Sequence, residues 1–210
     1  MEMAGNTIFT DMDDEYITLR DTARTELKVQ GSRFIALARP VLGKDDALQA
    51  VNTARSEFYD ASHHCFAYRL GTDDSQFRYN DDGEPSGSAG KPILAAIDRG
   101  GLTNVIVVVT RYFGGTKLGV GGLVRAYGGA AELALDAAGR MRKYATGRLE
   151  IAFPHALISN VMHVIAKTGA GIADTFYDEE VHMVLEIRRS KLEDLRVLLT
   201  DNTSGNLRVK

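Results

Sequence analysis

Five consecutive aliphatic residues, Val105-Ile106-Val107-Val108-Val109, lead through Thr110 into a nineteen-residue segment, Arg111 to Gly129, that holds seven glycines. An uninterrupted apolar run of that length, rich in β-branched residues, predicts a strand covered on both faces, the central strand of a sheet over Thr103–Thr110. Glycine at such density lets the backbone reach positive φ and lets another backbone or a ligand approach closely. The segment Gly114 to Gly122 therefore reads as a loop between this strand and a helix that continues to about Ala138 and stops at Gly139. Free N–H groups and the helix dipole at that junction favour an anion. Charge agrees: between Arg99 and Ala131 there are four basic residues, Arg99, Arg111, Lys117 and Arg125, and no Asp or Glu. The same glycines also suit close packing of helix on sheet. The P-loop pattern is absent and Gly119-Val120-Gly121 lacks the third glycine of a dinucleotide fingerprint, which disfavours P-loop NTPases and Rossmann dehydrogenases.

Upstream, Thr25–Gln30 and Arg33–Val41 alternate as two strands around a Gly31-Ser32 hairpin turn. An amphipathic helix is expected from Gly43 to about Tyr59 on the spacing of Leu48, Val51 and Phe58. His64–Leu70 and Gln76–Asn80 read as further strands, joined by a turn at Gly71-Thr72-Asp73-Asp74. The loop Asp81 to Gly90 follows, its serines expected to cap a helix through Ile93, Leu94 and Ile97. Arg140, Arg142 and Lys143 are read as the basic end of the long helix. From Arg148 onward the elements spell β-α-β-β-α-β, a ferredoxin-like order. The fold class is α+β, with residues 1–15 as a flexible leader, a first domain over 16–145 and a second over 146–210.

The 210 residues carry 25 Lys+Arg against 28 Asp+Glu, a net charge of −3, split as −2 for residues 1–146 and −1 for 147–210. Bulk charge therefore does not drive polyanion binding, and any such contact rests on a local patch. One cysteine, Cys65, leaves no intrachain disulfide and no zinc-ribbon or iron–sulfur ligand set. No stretch has the roughly 20 apolar residues of a membrane helix. We expect a cytoplasmic protein with no membrane partner.

Two further clusters carry polar chemistry. Asp81-Asp82-Gly83-Glu84-Pro85-Ser86 brings three carboxylates together, read chiefly as a helix-capping turn, with Asp82 or Glu84 able to pair with an arginine of the glycine segment or to hold a hydrated Mg²⁺. Ser86 and Ser88 lack a nucleophile-elbow context. In His63-His64-Cys65, strand alternation sends His63 and Cys65 to one face and His64 to the other, too few ligands for a closed zinc site. Cys65 reads as core, and His64 as a hydrogen-bonded or groove histidine. No catalytic residue, cofactor or metal site is assigned.

Three stretches, His64-Cys65-Phe66-Ala67-Tyr68, Asp81 to Gly90, and Val107 to Tyr127, resemble the YigZ/IMPACT family, the last being long and specific. Ser88 stands where the family pattern has Thr. The resemblance implies a first domain like domain 2 of ribosomal protein S5 and a second similar to the last domain of elongation factor G. It also implies, through the eukaryotic relative, a role in regulating translation by contact with a protein that governs a stress kinase. The expected function is a non-enzymatic regulator that binds RNA, the ribosome or a protein partner of the translation machinery. The alternatives are a Mg-dependent enzyme acting on a phosphorylated small molecule and a protein-interaction adaptor. The binding surface is expected at Arg111, Tyr112, Phe113, Gly114, Gly115, Lys117, Gly119, Gly121, Gly122 and Arg125, with His64, Asp82, Glu84 and Ser86 beside it. Tyr112 or Phe113 is available to stack on a base.

Overall fold

The computed structural model of the chain describes residues 14–72 and 76–209. The leader expected over residues 1–15 lies outside them up to residue 13, as does the second half of the turn expected at Gly71 to Asp74. The chain divides into two compact units, one spanning Tyr16–Lys143 and the other comprising Tyr144 onward with Asp14 and Glu15.

The first unit is built on a five-stranded antiparallel sheet. Its strands are β2 (Ala23–Val29), β3 (Ser32–Pro40), β4 (His63–Leu70), β5 (Gln76–Asn80) and β6 (Val105–Tyr112), in the order β2-β3-β6-β4-β5. The apolar run sits on the middle strand, where both faces are covered, as its composition requires. Ile106 and Val108 meet α1 (Lys44–Glu57) through Ala47, Ala50, Val51 and Ala54. Val105, Val107 and Val109 turn to the other face, beneath α2 (Gly90–Arg99) and α3 (Gly119–Ala138). The buried side of α3 is dominated by small residues, Ala126, Gly128, Ala130, Ala131 and Ala134, which let it lie close to the sheet, with Tyr127 as its one large, fully buried side chain.

Two elements differ from the expectation. Residues 140–143 are not a helix end: after Gly139, at φ 65°, the chain enters β7 (Arg140–Tyr144), which pairs with β1 (Glu15–Leu19) in a two-stranded sheet. The serines of the 81–90 loop do not cap α2 either. Asp81 does so from the end of β5, its carboxylate accepting the amides of Gly87 at 2.9 Å, Ala89 at 3.0 Å and Gly90 at 2.8 Å. The Ser88 hydroxyl instead donates to the Pro85 carbonyl at 2.6 Å.

The second unit follows the expected order: β8 (Thr146–Phe153), α4 (Ile158–Thr168), β9 (Gly171–Tyr177), β10 (Val181–Arg188), α5 (Leu192–Asn202) and β11 (Arg208–Val209). The antiparallel strand order β11-β8-β10-β9 is ferredoxin-like. Val161, Val164, Ile165, Leu195 and Leu199 of the two helices pack on Leu149, Ile151, Phe153, Met183 and Leu185. A single 3₁₀ turn precedes each helix, over His155–Leu157 and Arg189–Lys191.

One backbone approach ties the glycine segment to the rest of the first unit. At Gly114 an added Cβ would stand 1.9 Å from the carbonyl carbon of Gly31, in the β2–β3 turn. Both partners there are backbone, so nothing flexible can yield. Gly114→Ala is therefore expected to destabilise the protein by about 2 kcal/mol or more, in the range of overpacking in a rigid site. Gly43→Ala, at the N-cap of α1 with φ 176° and open space around it, is expected to cost no more than about 1 kcal/mol, the loss of a glycine cap without any clash. Denaturant midpoints of the two variants check this.

Candidate functional site

The 81–90 loop and the start of the glycine segment meet over one end of β4 and β6. Asp82 at φ 44° and Gly83 at φ 89° turn the chain back so that Glu84 points inward. Its carboxylate, with a side chain only 4% exposed, takes the Arg111 guanidinium on Oε1 at 2.6 Å. The same oxygen accepts the Tyr127 hydroxyl at 2.7 Å. Arg111 then reaches Ser32 Oγ at 3.3 Å, and that oxygen also accepts the Gly114 amide at 3.2 Å. The Arg111 guanidinium carbon lies 5.5 Å from the ring centres of both Phe34 and Phe113, in cation–π range. Its Nε is buried and has no hydrogen-bond partner among the described residues. Burial costs both charges their hydration, which their mutual attraction offsets, so removing either partner strands a buried charge.

Arg111, expected on the binding surface, is instead an internal group, and its partner Glu84 is one of the two carboxylates expected to pair with an arginine of this segment. The acid-free stretch between Arg99 and Ala131 does not mean free cations throughout, because Arg99 also pairs, with Glu132 on α3. Glu84 comes from another motif and Glu132 stands just past the stretch, so a charge count confined to residues 99–131 sees neither.

The remaining members of the acidic loop are equally committed. Asp82 accepts Arg55 of α1 at 2.6 Å and the His64 amide at 2.7 Å, and its carbonyl meets His63 Nδ1 at 2.8 Å. With Asp81 capping α2, the three carboxylates point to three different sets of donors. Among the described residues no three His, Cys, Asp or Glu side chains gather as a metal set. Ser86 is exposed at the loop tip. His64 is buried, and burial pushes its pKa down while the Asp82 carboxylate, 3.9 Å away, pulls the other way. The neutral ring donates from Nε2 to the Phe58 carbonyl at 3.1 Å, a tautomer assigned from its partner. Cys65 is fully buried and its thiol donates to the Asp81 carbonyl at 3.0 Å. Burial raises its pKa from 9.0 to about 12, with the carboxylates of Glu84, Asp82 and Asp81 adding to the rise. The Tyr127 hydroxyl is pushed up too, first by burial and then by its neighbours Cys65 and Glu84.

Beyond Gly114 the character changes. Residues 115–117 and 119–121 are exposed and Leu118 and Gly122 half-buried. The amides of 115–118 meet no protein acceptor among the described residues, and those of 119–121 are the first, unpaired donors of α3. Gly115 at φ 85° and Gly119 at φ 67° shape this turn in open space, a conformation that costs other residues. Lys117 and Arg125 are exposed and form no ion pair among the described residues. Arg125 borders a shallow groove of about 310 Å³ between α2 and α3, floored by Ala95, Gly128 and Gly129. Phe113 is 51% exposed. Tyr112 is engaged: its hydroxyl donates to Asp60 at 2.7 Å and the Arg33 guanidinium covers its ring at 4.4 Å.

The molecule is thus a two-unit α+β protein whose first unit clamps an acidic loop to a glycine-rich strand–helix junction through buried ions and leaves the rim of that junction open. Residues 30–135 match the Impact N-terminal domain, and residues 151–206 match DUF1949, a domain of unknown function. The chain belongs to the IMPACT family. It is 33% identical to an IMPACT family member of Haemophilus influenzae over 92% of this chain and 95% of that one. It is 32% identical to YigZ of Escherichia coli, over 87% and 90% respectively. A solved structure described as a hypothetical protein shares 30% identity and superposes with a TM-score of 0.73, covering 93% of this chain and 96% of its own.

The raised pKa values set a pH dependence. Native Cys65 and Tyr127 hold their protons where the unfolded chain releases them, so the native state binds more protons and stability falls as pH climbs from about 9 towards 12. Denaturant midpoints across this range are expected to drop, and to drop less in Cys65→Ala. Midpoints that stay level with pH in the parent would contradict the buried, protonated pair.

Proposed function

We propose that this protein is a non-enzymatic binding module of the translation apparatus, which holds RNA phosphates on the rim of the glycine-rich junction. The observation that carries this reading is the run of amides at 115–118 without protein acceptors, beside the unpaired Lys117 and the start of a 20-residue helix. Backbone donors fixed in place, a positive dipole end and flanking cations favour a phosphate over a neutral group. Lys117 and Arg125 supply point charges. Arg111 takes no direct part: from beneath, it fixes the position of Gly114 and Phe113. The link to translation is the one that the family resemblance implies; the match to a yeast Protein IMPACT homolog, at 35% identity, spans 47% of this chain and 39% of that one. A Mg-dependent reaction gains no support, because the carboxylates it needs are engaged with Arg55, Arg111 and the α2 amides.

With only a few phosphate contacts, binding is expected to be modest and to weaken steeply with salt. Lys117→Ala and Arg125→Ala are each expected to weaken binding to ribosomal RNA fragments regardless of sequence, and to lower the slope of log affinity against log salt by about 1. Filter binding at two or more salt concentrations measures this. Affinity indifferent to salt and to both substitutions would sink the proposal.

A further inference from the structure

Resting on the phosphate-binding reading above, we infer that Phe113 is a stacking platform for an unpaired base, so that the RNA taken by this rim is single-stranded. Phenylalanine at the end of a buried strand normally folds inward, as Phe34 on the neighbouring strand does at 0% exposure. Phe113 stays 51% exposed. It is nevertheless fixed: its amide donates to Ser62 Oγ at 3.3 Å and the next amide donates to Ser32 Oγ. Behind the ring stands the Arg111 guanidinium, 5.5 Å from its centre and itself pinned by Glu84 and Ser32. A buried cation within reach of the ring holds it without using its exposed surface. That arrangement orders an aromatic platform before a base arrives, so less entropy is lost on binding.

The neighbouring Tyr112 is less available: it is half-buried, its hydroxyl is bonded to Asp60, and the guanidinium on its ring is the surface residue Arg33 rather than a buried one. The phosphate donors begin two residues after Phe113, so base and backbone of one nucleotide are served by contiguous chain. A base inside a duplex is stacked on its neighbours and cannot lie on Phe113, whereas single strands offer splayed bases to aromatic side chains. Every base has a π-face, so the preference is for strandedness rather than sequence.

The chain contains no tryptophan, so Phe113→Trp introduces a unique fluorophore at the platform. The probes are an unstructured RNA of about twelve nucleotides, within the usual span of single-strand binders, and a duplex of the same length. Phe113→Trp is expected to keep the parent's affinity for the single strand and to lose fluorescence on binding. Phe113→Leu is expected to bind the single strand about tenfold more weakly, and the duplex no differently from the parent. Circular dichroism and thermal midpoints establish that both variants are folded; should the leucine variant fail there, quenching in the tryptophan variant decides alone. Equal single-strand affinity of Phe113→Leu and parent, an unquenched tryptophan in the complex, or duplex binding as tight as single-strand binding would overturn the inference. If Phe113→Leu is silent while Lys117→Ala still lowers the salt slope, the platform fails and the phosphate site stands. If no RNA binds in a salt-dependent way, the underlying reading falls with it.

Discussion

The first unit depends on one buried ion pair. Glu84, from a loop, and Arg111, from near the end of β6, are 27 residues apart in sequence, and their union fixes four things together. It holds the acidic loop down over the end of β4, gives the Tyr127 hydroxyl of α3 an acceptor, anchors the turn at Ser32, and supports the ring of Phe113. Each charge would be costly alone in this setting, and only their mutual satisfaction makes burial tolerable. A hydrophobic pair of equal volume would pack as well but would not dictate where the glycine segment leaves the sheet.

This division of labour explains why polar residues so concentrated in two short motifs behave so differently. Asp81, Asp82, Glu84 and Arg111 are internal fasteners, whereas Phe113, the amides of 115–118, Lys117 and Arg125 face outward. The close approach of Gly114 to Gly31 is the seam between the two sets. With rigid support below and open donors above, a loop presents binding groups that are already ordered at the moment of contact.

Much of this was legible in the chain. The Val105–Val109 run pointed to a strand covered on both faces, because sustained apolarity without a period of two leaves no face of a sheet strand for water. The β-α-β-β-α-β order of the second unit followed from turn residues and alternation alone. What escaped detection depended on tertiary pairing. β1 was hidden by the acidic residues before it, and Arg140 to Lys143 imitate a helix end because basic residues suit both a dipole and an exposed strand. Asp81 caps α2 only because the β4–β5 pairing delivers it there, ahead of serines that looked better placed. That Glu84 could pair with an arginine of the glycine segment was legible, and the structure forms that pair; which arginine it takes, and that both charges are buried, depended on tertiary packing that no local window contains. Phe113 was one of two aromatic candidates in sequence, and the greater exposure of Phe113 and the Tyr112–Asp60 bond separate them.

A double-mutant cycle on the ion pair tests this dependence at its root. Glu84→Gln and Arg111→Met are each expected to destabilise the protein by about 3–5 kcal/mol, since each strands a buried charge. Together they are expected to cost clearly less than the sum, with a coupling of about 1–3 kcal/mol. Strictly additive losses, each below about 1 kcal/mol, would show that the pair is incidental to the structure and contradict its central role.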